Sequence, residues 1–221
     1  MEDIQRQLRN LAEEQMPYAV KVALNNTAFS LRSKSKSLLG STFDRPTPLI
    51  RGATRVTKAT KETLAAIVAI DPKRAPVLLT HEEGGKRGHQ PIERFMVGRG
   101  WLPAGWRAVP GKGMPLDAYG NPRRAEVNHI LQELSAGISG VHGSARRTFV
   151  IPVGMRSHLP PGVWRVRAGS RERAITPLYL FVSSVQYRAI LHWEGTASAE
   201  AERLLPDEVA KAIRRALATA R

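Results

Sequence analysis

The hydrophobic positions of the first forty residues recur at helical spacing. One apolar stripe is formed by Ile4, Leu8 and Leu11, and a second by Val20, Leu24, Ala28 and Leu31. Pro17 lies between the two stripes. Because a proline inside a helix removes a backbone hydrogen bond, we expect a kink or a restart near Met16–Pro17. Gly40, followed by Ser41 and Thr42, is expected to end this helical segment.

The next eighty residues are punctuated by proline and glycine. Residues 41–60 contain Pro46, Pro48 and Gly52 and are predicted to form an extended basic arm. Two short apolar runs, Thr63–Ile70 and Val77–Thr80, are predicted to be strands. Residues 82–121 are predicted to form a long Gly/Pro-rich interaction loop that partners help to order, because an unstructured stretch of this length is unusual inside a compact domain.

The second half of the chain returns to regular patterns. Asn121-Pro122 is a typical helix start, and the helix is expected to end at Gly137. Its apolar face is formed by Val127, Ile130, Leu131 and Leu134. Three strands are predicted at Thr148–Val153, Val163–Val166 and Leu178–Val182. A C-terminal helix is predicted from the spacing of Leu205, Val209, Ile213 and Leu217, with a fresh start at Pro206.

These elements predict an α+β fold in a single domain over residues 1–221. Long N-terminal and C-terminal helices and one middle helix are expected to pack on a small, mostly antiparallel sheet. The sequence contains no internal repeat.

Composition narrows the function classes. The 221 residues include 34 basic and 19 acidic side chains, a formal net charge of +15, and no cysteine. The absence of cysteine excludes disulfide scaffolds, thiolate-bound metals and thiol catalysis. The longest apolar run, Leu64–Ile70, is far shorter than the ~18 residues of a membrane helix, so no membrane partner is expected.

A charge of this size favours a polyanion or an acidic protein as partner, because it otherwise opposes compaction by self-repulsion. The cations between positions 21 and 61 are opposed by a single acid, Asp44. The first candidates for contact with DNA, with the lumen of an assembly or with an acidic partner are Arg32, Lys34, Lys36, Arg51, Arg55 and Lys58. Arg146 and Arg147 are the second choice.

Residues 140–175 contain seven arginines and one acid, Glu172. Alternate positions such as Arg165 and Arg167 share one face of a strand, which suits a nucleic-acid backbone or an acidic protein surface, or is simply solvated. Trp164 and Trp193 are expected in the core. Trp101 and Trp106 are candidates for a subunit contact, with local packing as the equal alternative.

No stretch of the sequence matches a known catalytic motif completely. His81-Glu82-Glu83-Gly84-Gly85 lacks the second histidine that a zinc-protease helix requires. A turn in which the acids pair with Lys86 and Arg87 is the simpler interpretation, and a metal-dependent nuclease using His81, Glu82 and Glu83 is the least favoured alternative. The glycines around Lys86 lack the spacing of a phosphate-binding loop. We expect no catalytic residue, no cofactor and no metal site, and therefore no enzyme.

Several stretches taken together resemble the minor tail protein Z family of tailed bacteriophages. They are, in order, the helix from Ala19 to Phe29, the segment Met114 to Pro122, Pro161-Gly-Val-Trp-Arg, Pro177-Leu-Tyr-Leu-Phe-Val, Tyr187, and the alanine-rich helix from Ala197. Their joint order covers nearly the whole chain. The acidic loop around Glu82 and the run Phe95–Pro110 have no counterpart in it.

The resemblance implies a structural virion protein that completes the head-proximal end of a phage tail and helps to join it to the capsid. Its implied partners are a tail terminator, a tail tube and a head–tail connector, in a ring-shaped homo-oligomer for which a hexamer is the candidate order. It implies a location in the tail or neck of the virion after assembly in the host cytoplasm. Contact with the backbone of packaged DNA is an additional expectation. The alternative from charge alone is a sequence-nonspecific DNA-binding protein.

Overall fold

The computed structural model describes residues 2–136, 146–167, 174–183 and 185–219. It confirms the α+β class, with long N-terminal and C-terminal helices and antiparallel sheets of two and four strands. The chain, predicted as one domain, divides into two compact units. Unit 1 comprises residues 1–84 and 188–221, and unit 2 comprises residues 85–187.

Unit 1 begins with one continuous helical segment. Helix α1 (Glu2–Asn10) leads into a π-helical turn (Leu11–Gln15) and then into α2 (Met16–Thr42). Pro17 lies in the first turn of α2, where its missing N–H is tolerated. The interruption expected near Met16–Pro17 is therefore present as a π-helical turn, in which the Met16 N–H bonds to the Leu11 carbonyl five residues earlier.

The partner of α2 is the C-terminal helix, here called α7 (Trp193–Thr219), which runs antiparallel to it. Their seam consists of small residues: Ala19, Ala23, Ala212 and Ala216, with Val209 packed against them. The predicted restart at Pro206 is wrong, because α7 continues through that residue. The upstream part of α7 has its own anchor on α2, a 2.8 Å hydrogen bond from the Trp193 indole N–H to the Ser35 hydroxyl.

The predicted arm over residues 41–60 is structured. Helix α3 (Pro48–Arg51) and strand β1 (Thr54–Thr57) occupy it, and β1 pairs antiparallel with β2 (Ile67–Ile70). The run Val77–Thr80, predicted as a strand, lies in helix α4 (Ala75–Glu83). Both errors have one cause, because Ala53 and Leu78 are completely buried in a cluster with Leu39 of α2 and Leu191. Tertiary burial outweighs the local turn signals there.

Unit 2 contains a four-stranded antiparallel sheet in the order β3-β6-β5-β4. Its elements are α5 (Pro91–Gly98), β3 (Arg107–Pro110), α6 (Arg124–Ser135), β4 (Arg146–Ile151), β5 (Gly162–Arg167) and β6 (Ala174–Val182). The last three are the strands predicted from the sequence. Helix α6 starts after Asn121-Pro122, since Pro122 bridges back to Leu116 as an isolated β-contact. The predicted end at Gly137 lies outside the described residues.

The region 82–121 is not the long interaction loop predicted from its glycines and prolines. It contains α5 and β3, and it contributes Ile92, Met96, Leu102, Ala108 and Met114 to the hydrophobic core of unit 2. Ile130 and Leu134 of α6 join that core, which confirms the predicted helical face. Among the described helices of both units, none has the length and apolarity needed to cross a bilayer.

Candidate polyanion-binding surface

The exposed side of α2 carries two of the predicted cations next to each other. Arg32 and Lys36 are both exposed and are separated by four residues, so they lie one turn apart on the same side of the helix. Phe29, which is 41% exposed, precedes them by three and seven residues and lies on that side as well. This side of α2 therefore presents an aromatic ring followed by two positive charges.

Lys58 is brought to the same place by the chain that follows β1. The Asn25 side chain accepts a 2.8 Å hydrogen bond from the Ala59 N–H and donates a 3.1 Å bond to the Ala59 carbonyl. Ala59 is thereby fixed against α2, and the neighbouring Lys58 ammonium lies 5.5 Å from the centre of the Phe29 ring. Arg32, Lys36 and Lys58 together form what we call the α2 basic stripe.

Lys34 does not belong to the stripe. It lines a small cavity with Trp193, Thr196 and Ala197 of α7, because two residues along a helix rotate a side chain to another side. The pKa of Glu200 is lowered chiefly by a hydrogen bond from Arg203, and the charge of Lys34 lowers it further. Lys34 thus lies beside the first turns of α7 and not on the α2 basic stripe.

Arg51 and Arg55 have different surroundings. Arg51 is exposed at the end of α3. The Arg55 Nε lies 2.9 Å from Asp71, whose side chain is only 3% exposed. The pKa of Asp71 is lowered first by the N–H of Lys73 and then by the charges of Arg55 and Arg74. Arg55 therefore helps to compensate a buried carboxylate, and its side chain is 67% exposed.

The arginines of unit 2 correct the interpretation of residues 140–175. Arg165 is 6% exposed and forms ion pairs with Glu126 and Glu133 of α6, so it binds helix to sheet and is not part of a binding surface. Arg146 and Arg147 begin β4 opposite Arg167 and Val166. Only their backbone is described, so the prediction of a contact at Arg146 and Arg147 stays a prediction.

Trp101 and Trp106 are partly buried against the core of unit 2. The Trp101 ring meets Phe95 edge-on with centroids 5.9 Å apart, and the Arg99 guanidinium lies over both rings. These contacts correspond to the local-packing alternative. The subunit contact predicted for the two tryptophans stays a prediction.

Of the groups considered for catalysis, Glu82 and His81 have contacts within the fold, whereas Glu83 is exposed. Both oxygens of Glu82 accept backbone N–H bonds at the start of α7, from Trp193 at 2.8 Å and from Glu194 at 3.1 Å. His81 meets the Phe43 ring edge-on, and burial lowers its pKa. The predicted pairing of these acids with Arg87 is wrong, since Arg87 binds Glu93.

Glu93 is the centre of a buried polar network that the sequence analysis missed. Two Arg87 nitrogens lie 2.7 Å from its oxygens, and the N–H groups of Gln90 and Ala108 donate to it at 2.7 and 2.9 Å. Burial raises the pKa of Glu93, but these donors outweigh it and the pKa lies below its ordinary value. The signal in the sequence was Gln90-Pro-Ile-Glu93, a capping box that predicts the start of α5.

Glu82 and Glu93 are thus both held in structural contacts. Within those residues, no group of three or more His, Asp or Glu side chains could hold a metal ion. The α2 basic stripe is a cluster of three exposed cations beside the Phe29 ring. When the chain is compared with protein-family models, with curated proteins and with solved structures, nothing matches.

Proposed function

We propose that this protein is a structural component that completes the head-proximal end of a long bacteriophage tail and joins it to the capsid. The observation that carries the proposal is the α2 basic stripe, on a chain with a net charge of +15. Such a surface suits a subunit that lines or flanks the passage of packaged DNA. The ordered resemblance to the minor tail protein Z family supports the same role.

The proposed partners follow from that position. The protein assembles with copies of itself in a ring and with a tail terminator, a tail tube and a head–tail connector. Cations of the stripe then face phosphate groups or acidic side chains of a neighbour, which offsets the self-repulsion of the free chain. Glu82, one of the acids considered for catalysis, is bound at the start of α7, and this structural use supports the proposed role.

The test is the composition and assembly of particles. With the gene intact, immunogold labelling locates the protein at the neck of the virion. With the gene deleted, we expect DNA-filled heads and finished tails that do not join, and the wild-type gene supplied in trans restores whole particles. Absence of the protein from purified virions, or normal joining in the deletion, overturns the proposal.

Sequence-nonspecific DNA binding by the free protein is the second candidate, and the clustering of Arg32, Lys36 and Lys58 favours it. Phosphate contacts release counterions, so the affinity for a duplex should fall steeply with salt. Reversing the three charges (R32E/K36E/K58E) should reduce the log–log salt slope by about three. The matched control reverses three other exposed cations, K73E/K86E/R94E. Equal slopes for the two triple variants overturn the assignment of DNA binding to the stripe.

A further inference from the structure

The α2 basic stripe lies beside an exposed aromatic ring that phosphate binding does not explain. Phe29 is 41% exposed, and it lies on the same side of α2 as Arg32 and Lys36. A single exposed apolar side chain is ordinary, but this one lies within a cluster of cations. Phosphate oxygens accept hydrogen bonds and bind positive charge, and a phenyl ring offers them neither. The combination indicates a ligand that has flat apolar groups as well as negative charge.

Carboxylates are missing from the two segments that build the stripe. The segment from Gln15 to Phe43, which includes the whole of α2, contains neither Asp nor Glu. The segment from Thr54 to Lys61, which brings Lys58 to the ring, contains neither as well. Among the ion pairs within the described residues, none includes Arg32, Lys36 or Lys58. Their charge is therefore not offset by a carboxylate in the part of the chain that the structure describes.

The ring and the cations are close enough to contact one ligand. The Lys58 ammonium lies over the Phe29 ring, 5.5 Å from its centre. Arg32 and Lys36 follow Phe29 by three and seven residues, which places their backbones about 4.5 and 10.5 Å further along the helix axis. Arginine and lysine side chains are long, so a group bound on the ring and its neighbouring charged groups can meet several of these cations together.

The neighbours of Phe29 favour nucleic acid over a protein partner. Positions three and four residues away along a helix adjoin a side chain on the helix surface. For Phe29 these positions are all polar: Asn25, Asn26, Arg32 and Ser33. Aromatic anchors of protein interfaces lie in well-packed surroundings that exclude water. A ring among cations is instead typical of surfaces that bind nucleic acid through its backbone and through base stacking.

Stacking requires an unpaired base. In a duplex each base is stacked on its neighbours, so a ring on the protein surface meets only the sugar–phosphate backbone. A single strand presents phosphates and base faces together. Stacking of a base on an aromatic side chain is tolerant of sequence, because every base has a π-face.

We infer that the α2 basic stripe binds single-stranded nucleic acid in preference to duplex. An unpaired base stacks on the Phe29 ring, and neighbouring phosphates contact Arg32, Lys36 and Lys58. This inference rests on the nucleic-acid contact contained in the proposed function and specifies the form of that nucleic acid.

The test compares single-stranded and duplex DNA on the same protein. Fluorescence anisotropy is measured with a labelled oligothymidylate of about ten nucleotides and with a duplex of equal length. In Phe29→Ala we expect the affinity for the single strand to fall about tenfold and the affinity for the duplex to change less than about twofold. An unchanged affinity for the single strand, or an equal loss for both DNAs, overturns the inference.

Two further variants separate stacking from simple apolar contact. Phe29→Trp keeps an aromatic face and should bind the single strand at least as tightly as the wild type. Phe29→Leu keeps an apolar side chain without a ring and should lose affinity as Phe29→Ala does. Full affinity in Phe29→Leu overturns the inference. Because Phe29 is exposed, we expect all three variants to retain the circular dichroism spectrum of the wild type.

Tyr119→Ala is the matched control. Tyr119 is 40% exposed, almost the same as Phe29, but its N–H donates to the carboxylate of Asp117 at 2.9 Å, so this ring lies beside an acid. We expect Tyr119→Ala to bind the single strand as the wild type does. A loss equal to that of Phe29→Ala overturns the assignment to the stripe.

DNA and RNA share the groups that the stripe would recognise, so the series is repeated with an oligouridylate of the same length. The source of the ligand is the strand on which Phe29→Ala has the larger effect, and an effect on neither overturns the inference. So does a Phe29→Ala variant that binds single strands normally but no longer self-associates, which would assign the ring to a protein contact. Single-strand binding through Phe29 by a protein that is absent from virions refutes the tail role alone. A neck protein whose single-strand affinity does not depend on Phe29 refutes this inference alone.

Discussion

The two units bury different kinds of apolar side chain. Unit 2 packs large side chains, among them Met96, Ile130 and Tyr179, between a helix and a sheet. The long helices of unit 1 meet through alanines, which lets their backbones approach closely but buries little apolar area per residue. The difference is visible beside the helices of unit 1, where an apolar groove of about 460 Å³ is left between α2 and α7, whereas large side chains fill the described core of unit 2.

The two units also differ in net charge. Residues 85–187 contain 15 of the 34 basic residues and 5 of the 19 acidic ones, a net charge of +10, which leaves +5 for unit 1. Yet in the described part of unit 2, Arg87 and Arg165 are bound to carboxylates and Arg107 donates to backbone carbonyls. Other cations of unit 2, among them Lys86, Arg94 and Lys112, are exposed. The α2 basic stripe, in which Arg32, Lys36 and Lys58 lie beside one aromatic ring, belongs to unit 1. The net charge of a unit therefore does not show which of its cations are bound within the fold.

Among the substitutions that test this contrast between the units, Glu93→Gln should cause the largest loss in the free energy of unfolding. The change leaves the Arg87 guanidinium, whose side chain is 20% exposed, without its counter-ion. Breaking a buried ion pair by removing one partner costs about 3–5 kcal/mol, and we expect a loss in that range in the free energy of unfolding measured with urea.

Glu83→Gln is the control, because Glu83 is exposed and the chemical change is the same. The wild-type protein should also respond to acid. Because the pKa of Glu93 is lowered by folding, its contribution is complete above the ordinary pKa of glutamate and is lost as the pH falls through the folded value. Urea midpoints that shift equally with pH in wild type and Glu93→Gln contradict this account.

Ala23→Leu tests the claim that close approach defines the seam of unit 1. Ala23 is completely buried, so three additional carbons must displace α7. Overpacking of this kind costs about 1–3 kcal/mol, which urea unfolding should detect. Ala218→Leu, on the exposed side of α7, is the matched control. Equal stabilities of the two variants would show that the seam has room to spare.

Glu82→Ala should have a smaller effect, of about 1 kcal/mol, because it removes the side chain that caps the first two N–H groups of α7. The exposed neighbour supplies the control, Glu83→Ala. The same pair addresses the nuclease alternative. A DNA-cleaving activity in the parent protein that Glu82→Ala abolishes at unchanged stability would assign Glu82 to catalysis and contradict the capping role.

Elements with a local signal could be predicted from the sequence. The stripes of α2 and α6 and the β-branched runs of β4, β5 and β6 are visible within one or two turns of chain. Helix α5 was missed because glycine and proline indicated a loop, and α4 was missed because its short apolar run Val77–Thr80 resembles a strand. Burial of Met96 and Leu78 decides the structure at these two places. Pro206 looked like a start because nothing in its neighbourhood shows that Trp193 is anchored on Ser35, 158 residues away.

The candidate surface could be predicted only in part. Arg32 and Lys36 are exposed, as expected for a charged run on a long helix. That Lys58 joins them depends on Asn25 bonding to Ala59, a contact across 34 residues. Arg165 shows the opposite error, since its carboxylate partners belong to α6 and are 39 and 32 residues away. Sequence supplies the charges, but pairing across the fold decides which of them remain available.

The smallest expected effect is on the ionisation of Tyr179. It contrasts a tyrosine buried in unit 2 with Tyr18, which is exposed on unit 1. Burial, with a lesser contribution from the charge of Glu93, raises the pKa of Tyr179 to about 12. At neutral pH its phenol is protonated whether the chain is folded or unfolded, so the shift leaves stability unchanged there. As the pH rises from 10 towards 12, only the unfolded chain ionises this residue, and folding stability falls. A spectrophotometric titration should show one of the four tyrosines ionising late. Tyr179→Phe should remove that late step, whereas Tyr18→Phe, at a position 52% exposed, should leave it in place. If the late step survives in Tyr179→Phe, Tyr179 is not the tyrosine that ionises late. The packing described for the core of unit 2 is then wrong at Tyr179, the largest of its fully buried side chains.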